Sequence, residues 1–351
     1  MKNTLQFQKA FKLKRKTMKK QIHNLRMVLA ICCFIAGTWL GYQGNITAFI
    51  VCYTGVIWFT PFGKTTPVIA FKALLTILLA VLGANYRLTA HTGDHSTLTV
   101  CYIDVGQGDS TLLELPDGTV VLIDAGSTES VEHVIHKLRS EGIHTIDYLI
   151  GTHPHIDHIG GIPAILDEFQ VKSYLQPEIG SYQVENSYTV ELLAKKLNQY
   201  RIPVQNVSAG MVLYDNNSCR LEVLAPKPDI IMEDLNDYSM ILKLSYYNIS
   251  FLFMADAGYL EEETILNDAI DCDVLKIGHH GSYGSTSNAF LKQTDPRYAV
   301  ISVGRENEHH LPNTSVLEKL DVQSIPVYRT DEDGTITVLT DGNGIQIKTE
   351  N

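Results

Sequence analysis

Ten residues, Thr152 to Gly161, read THPHIDHIGG and place four metal-competent side chains, His153, His155, Asp157 and His158, within six positions. Imidazole and carboxylate suit zinc, manganese or iron, and a turn that follows a strand can aim alternate ligands at two neighbouring cation positions. A polar turn with incidental histidines is the alternative; the carboxylate beside the last histidine and the Gly-Gly pair that follows argue against it. A dinuclear site needs more ligands than this motif holds. Two apolar runs further on offer them: FLFMADAG carries Asp256, and VLKIGHHGS carries His279 and His280. A carboxylate can bridge two cations and a later histidine can complete the second. Two divalent ions, zinc or manganese, held about 3.5 to 4 Å apart would acidify a water between them and stabilise charge growing on a phosphoryl or carbonyl oxygen.

The elements that must position these residues follow from hydrophobic periodicity. Leu98 to Asp104 alternates as a strand, and Ser110–Leu115 and Thr119–Asp124 form a hairpin across Pro116-Asp117-Gly118. A helix is expected over Ser130–Arg139 and a strand over Ile146–Gly151, with the histidine motif in the loop beyond it. Helical spacing returns at Ile159–Phe169 and Val190–Gln199, around a short strand at Val171–Leu175. Strands are then expected at Met211–Tyr214, Arg220–Leu224, Met240–Tyr246 and Ile249–Met254, with a helix at Tyr259–Ala269. Strand Val274–Ile277, helix Asn288–Gln293, strand Tyr298–Val303, helix Thr314–Leu320 and two closing strands complete the chain. Two runs of strands and helices imply one layered α/β domain over residues 97–350, two sheets face to face with helices outside.

The charge of the 351-residue chain is unevenly spread. Residues 1–90 hold 12 of the 28 Lys/Arg and no Asp/Glu, so residues 91–351 carry the other 16 basic and all 39 acidic residues, a net −23. Nine basic residues precede Met27, and Met27 to Gly63 contains no charge. As one helix that run would span about 55 Å against a hydrocarbon core of about 30 Å, so a break is expected at Gly41-Tyr42-Gln43-Gly44-Asn45. A third apolar run, Pro67–Ala84, holds only Lys72, which can snorkel. The expectation is a basic cytoplasmic segment at 1–26, a multi-pass anchor of about three spans at 27–86, a linker at 91–96 and an extracellular domain thereafter. A cleaved signal peptide would show one short apolar core instead of three. The six cysteines show no C-x-x-C spacing and read as small buried hydrophobes, so thiolate chemistry is not expected.

Taken together, VGQGDSTLLELPDG at 105–118, LIDAG at 122–126, THPHIDHIGG, NDYSMILKLSY at 236–246, MADA at 254–257 and LKIGHHGSYGSTS at 275–287 resemble the metallo-β-lactamase superfamily. More narrowly the chain is similar to the C-terminal hydrolase domain of the ComEC family, the DNA-uptake channels of bacterial competence. The resemblance implies a four-layer αββα sandwich, with His153 and His155 on a first metal, Asp157 and His158 on a second, and Asp256 bridging. It also implies that His279 or His280 completes the second site. Neighbours at a strand end point opposite ways, so one is a ligand and the other meets substrate or proton; which one stays open. Asp124 is expected to orient the metal loop as a hydrogen-bond acceptor. Asn236-Asp237-Tyr238-Ser239 occupies the place where many superfamily members have a third histidine. The family's Asn-x-x-x-His-Pro becomes Asn307-Glu308-His309-His310-Leu311-Pro312, which makes His310 a candidate for a role on substrate or transition state. The hydroxyls of Ser282, Ser285, Thr286 and Ser287 read either as a phosphate or oxyanion cradle or as a capping turn. Gln107 and Asp109 either line the site or shape their turn.

The activity these readings favour is a membrane-anchored phosphodiesterase, with nuclease activity implied by the resemblance. A net −23 domain repels a polyanion, although bound cations reverse the sign locally. Phosphodiesters of wall polymers, lipids or small nucleotides are the alternative substrates. A third reading, from a different class, is a non-catalytic accessory to a separate DNA-uptake channel, its basic N-terminus on anionic lipid. Three spans cannot form such a channel alone, and the missing histidine weakens a β-lactamase function further.

Overall fold

The computed structural model describes residues 97–178, 188–228 and 234–351, together with residues 18, 19, 21 and 22. The expected spans at 27–86 and the linker at 91–96 lie outside the described residues; among those described, no helix is long and apolar enough to cross a membrane. The chain divides into two units, Met1–Gly93 and Asp94–Asn351, and the second carries the site.

Its first half opens with β1 (Leu98–Tyr102) and the hairpin β2 (Thr111–Glu114) and β3 (Val120–Ile123). There follow α1 (Val131–Ser140), β4 (Thr145–Ile150), α2 (Ile156–Ile159), α3 (Ile162–Glu168), β5 (Gln170–Pro177), α4 (Tyr188–Tyr200) and β6 (Val204–Val207). The second half runs β7 (Val212–Asp215), β8 (Cys219–Ala225), β9 (Ile241–Tyr246), β10 (Ile249–Phe253), α5 (Tyr259–Ile265), β11 (Val274–Lys276), α6 (Asn288–Thr294) and β12 (Tyr298–Ile301). It closes with α7 (Thr314–Val322), β13 (Val327–Arg329), α8 (Thr330–Asp333), β14 (Ile336–Thr340) and β15 (Ile345–Thr349).

These strands form two sheets, ordered β15-β14-β1-β2-β3-β4-β5-β6 and β13-β12-β11-β10-β9-β8-β7. Alternation along each strand sorts side chains into layers. Leu98, Val100 and Tyr102 of β1 join Leu221, Leu242, Phe251 and Phe253 in the core between the sheets. Cys101 and Leu112 face the other way, onto Val134 of α1, Ile165 of α3 and Leu193 of α4. Leu252 and Leu275 cover the outer side of the second sheet against Ile265, Phe290 and Val316 of α5, α6 and α7. Each of the largest buried side chains contributes on the order of 2 to 3 kcal/mol of burial free energy. Three apolar layers between four layers of structure make the expected αββα sandwich.

Local readings are corrected at two helices. The helix expected over Ile159–Phe169 is divided into α2 and α3 on either side of Gly160-Gly161, where the backbone packs so closely that a Cβ on Gly161 would lie 2.2 Å from the Ala125 carbonyl. The helix expected to reach Ala269 stops at Ile265, where Asp268 N–H turns back to the Ile265 carbonyl. A short edge strand, β6, adds to the expected set, and three strands instead of two follow α7. The closing strands β14 and β15 join the first sheet, where β14 pairs antiparallel with β1.

On α5, Glu261 is 2% exposed and its Oε2 accepts from Gly258 N–H, while Oε1 has no hydrogen-bond partner. Burial raises its carboxyl from 4.5 to about 7. Between these values the folded chain binds more protons than the unfolded one, so stability present below pH 4.5 is lost as pH rises through 7. Glu261→Gln keeps the acceptor and removes the buried charge. Its melting temperature is expected to exceed wild type at pH 8, by the equivalent of about 1 to 2 kcal/mol, and the gap to close at pH 5. Equal gaps at both pH values would show that the Glu261 charge carries no such cost.

Candidate metal centre

The ligand candidates lie where strands of both sheets end: Asp124 after β3, the histidine motif after β4, Asp256 after β10 and His279-His280 after β11. Parallel neighbours β3-β4 and β10-β11 bring these ends side by side. Backbone bonds then lace the loops together. Asp109 N–H donates to the Asp157 carbonyl, Ala125 N–H to that of His158, His279 N–H to that of Ala255, and Met240 N–H, from the other sheet, to that of Thr152. Gly108, at φ +136°, lets its loop approach closely: a Cβ there would fall 2.3 Å from the Asp157 carbonyl oxygen.

Two groups of donor atoms result, and Asp256 belongs to both. In one, His153 Nε2 stands 3.1 Å from His155 Nδ1 and 3.8 Å from Asp256 Oδ2. In the other, Asp256 Oδ1 is 3.1 Å from His158 Nε2 and 3.4 Å from His280 Nε2, which is 3.3 Å from Asp157 Oδ2. Ligands at 2.0 to 2.1 Å around a tetrahedral zinc are about 3.4 Å apart, so the spacing fits a cation among them. Orphaned atoms make the same point. His158 Nε2, His280 Nε2 and Asp256 Oδ1 are buried without a hydrogen-bond partner, and all three converge on the second group. Such atoms cost free energy unless something polar meets them.

The other face of each imidazole is committed. His280 Nδ1 lies 2.9 Å from the Ser302 carbonyl, which makes Nδ1 the protonated nitrogen and leaves Nε2 free to bind. His158 Nδ1 likewise faces Asp124 Oδ2 at 2.8 Å, and the same carboxylate accepts from Thr152 N–H and Thr152 Oγ1. Asp256 N–H donates to Ser239 Oγ, so the Asn236-Asp237-Tyr238-Ser239 stretch holds the backbone that carries the shared carboxylate.

Charge in the cluster is strongly coupled. Burial alone would lower His158 and His280, but Asp256 with Asp124 at the first, and Asp256, Asp157 and Asp109 at the second, push both upward. Burial would raise Asp157 and Asp256, yet His280 and His158 hold both carboxyls below their usual range. His153 goes down through burial and the nearby His158. The carboxylates of the second group thus favour positive charge there, which a divalent ion would supply.

His279 and His280 follow the end of β11 and lie outside the strand itself. They occupy a 3-10 turn, Gly278–Gly281, with φ of 49° and 52°, so strand alternation is not what separates them. His280 turns into the second group, whereas His279 is partly exposed, its Nε2 3.7 Å from Asp256 Oδ2. His310 joins neither group. It is exposed on a loop held by Asn307 and seated on the turn, where Asn313 N–H donates to the Gly281 carbonyl. The hydroxyl stretch is a capping turn: Ser287 Oγ accepts from Phe290 N–H, Ser285 Oγ donates to the Gly278 carbonyl, and Glu262 takes the N–H groups of Thr286 and Ser287. Gln107 ties its turn to the loop after β12 by accepting from Gly304 N–H. Asp109 lies at the site, paired at 2.6 Å with Lys276, a buried lysine that motif reading passed over inside an apolar run.

A two-sheet sandwich with H-x-H-x-D-H at its strand ends defines a class of enzyme: the chain belongs to the metallo-beta-lactamase superfamily, whose pattern matches residues 103–305, and is a hydrolase of that fold. Within it the chain is similar to ComE operon protein 3 of Bacillus subtilis, at 34% identity over 67% of this chain and 32% of that protein. It is also similar to Recombination protein 2 of Haemophilus influenzae, at 28% identity over 69% of this chain and 29% of the other. Competence protein ComA of Neisseria gonorrhoeae is 26% identical over 74% of this chain and 34% of its own length. The chain thus spans about a third of the length of these curated relatives.

Proposed function

We propose that the chain is a phosphodiesterase with two divalent cations, zinc or manganese, and that its substrate is single-stranded DNA or a related phosphodiester. The observation that carries this reading is the sharing of Asp256 between two donor groups. His153, His155 and Asp256 would hold one cation, and Asp157, His158, His280 and Asp256 the other. A cation pair supplies an acidified water and charge stabilisation at a phosphoryl oxygen. The protein's own part is to fix the donors: Asp124 and the Ser302 carbonyl set the tautomers of His158 and His280, and Ser239 holds the Asp256 backbone. His279 Nε2, on the open side of Asp256, is placed to move a proton to or from the reacting oxygen. His310 is assigned no part in holding cations.

Similarity to competence proteins favours nucleic acid over wall, lipid or small-nucleotide phosphodiesters, and the cations offset the net −23 of residues 91–351. We further propose that residues 27–86 anchor the chain in the cell membrane by about three spans, with residues 1–26 on cytoplasmic lipid headgroups and the hydrolase domain outside, where it serves a separate channel protein. The uncharged run Met27–Gly63 and the basic segment before it support this reading.

Purified full-length chain with manganese or zinc is expected to turn over bis-p-nitrophenyl phosphate and single-stranded DNA but not a β-lactam, and to stop when chelated. Absence of any phosphodiester turnover in a folded, metal-loaded sample would overturn the reading. A C-terminal cysteine tag should react with an impermeant reagent in intact cells; protection there would place the domain inside.

A further inference from the structure

A third set of donor atoms, from Asp109, Asp124 and His158, also lies within 4.8 Å of one another. Here a cation is already present, and it belongs to the protein. Lys276, from the centre of the second sheet, puts its Nζ 2.6 Å from Asp109 Oδ2, with both side chains almost wholly buried. The same Nζ also donates to the Ile277 carbonyl, at 3.4 Å. Asp109 in turn faces the second ligand group from behind: Oδ2 is 4.0 Å from His158 Nδ1, and Oδ1, which has no hydrogen-bond partner, is 3.7 Å from His280 Nδ1. The loop that carries Asp109 is bonded to the Asp157 carbonyl. One ion pair therefore backs three of the four donors of the second group.

We infer that the Asp109–Lys276 pair sets how tightly the second group holds its cation, as positioning residues that touch neither cation nor substrate. The inference rests on the metal reading above. Buried charges interact strongly because little water screens them, and removing one partner of a buried pair leaves the other uncompensated. The two partners therefore act with opposite sign. Asp109→Asn leaves an unbalanced ammonium behind the site, which repels a dication. Lys276→Met leaves an unbalanced carboxylate, which attracts one. A pair that merely fills space would lower affinity in both variants or in neither.

The test is manganese affinity of the full chain, measured by competition with a metal indicator at fixed pH, with circular dichroism to establish folding. Affinity is expected to fall about tenfold or more in Asp109→Asn, to rise in Lys276→Met, and to return to within about threefold of wild type in the double variant. Shifts of the same sign in the two single variants, or no shift in either, overturn the inference while leaving the metal reading intact. Should Asp109→Asn fail to fold, Lys276→Met decides alone: tighter binding supports the inference, and weaker or unchanged binding overturns it. A wild-type chain that binds no manganese removes the metal reading itself and the inference with it.

Discussion

Asp256→Ala is expected to abolish metal binding at both donor groups and to lower phosphodiester turnover on the order of a thousandfold or more. The size of the effect follows from position. Oδ1 belongs with His158 and His280, Oδ2 with His153, so the substitution removes a donor from both groups at once. Loss of a residue from one group alone, such as His155→Ala, leaves the donors of the other complete. The backbone that carries Asp256 is held independently by Ser239 Oγ. The variant should therefore keep its fold, and a melting curve beside the metal assay separates loss of site from loss of structure. Retained activity would show that the shared carboxylate is not what assembles the site.

Asp124→Ala should produce the second-largest effect without touching a cation. The carboxylate is buried at φ 57° and accepts three hydrogen bonds, from Thr152 N–H, Thr152 Oγ1 and His158 Nδ1. Each buried donor left without an acceptor costs about 1 to 3 kcal/mol, so a loss of several kcal/mol in unfolding free energy is expected. Metal affinity should drop about 10- to 100-fold, because His158 loses the partner that fixes its ring and tautomer. Asp124→Asn retains an acceptor oxygen and tolerates positive φ, so it should fall between alanine and wild type. A chemical denaturation curve with a metal titration checks both numbers; unchanged affinity in a destabilised Asp124→Ala would confine Asp124 to folding.

Much of the centre was legible because metal chemistry restricts residue types. Histidine and aspartate at H-x-H-x-D-H spacing, with Asp256 and His279-His280 at the ends of apolar runs, could be assembled before any geometry was known. What stayed hidden was set by contacts distant in sequence. The tautomer of His280 depends on a backbone carbonyl, Ser302, which no motif marks. Lys276 looked like one charge in a strand, and its meaning appears only with Asp109 beside it. The choice between His279 and His280 could not come from strand alternation, since both lie in a left-handed turn. Ser282 to Ser287 had the composition of an anion cradle, but Glu262, from a different helix, occupies its N–H groups. In the fold, strong alternation made β1 and β8 to β10 readable, whereas β6 and β13 are three or four residues at sheet edges with little pattern to read. The return of β14 to β1 is a pairing across more than 230 residues, which local periodicity cannot encode.

The most direct test of a two-cation centre built on Asp256 is a count of ions. Full-length chain saturated with manganese, freed of unbound ion and measured by inductively coupled plasma mass spectrometry, should hold two ions per chain in wild type and none in Asp256→Ala. A single ion in the wild type, or ions that survive the loss of Asp256, would contradict the account.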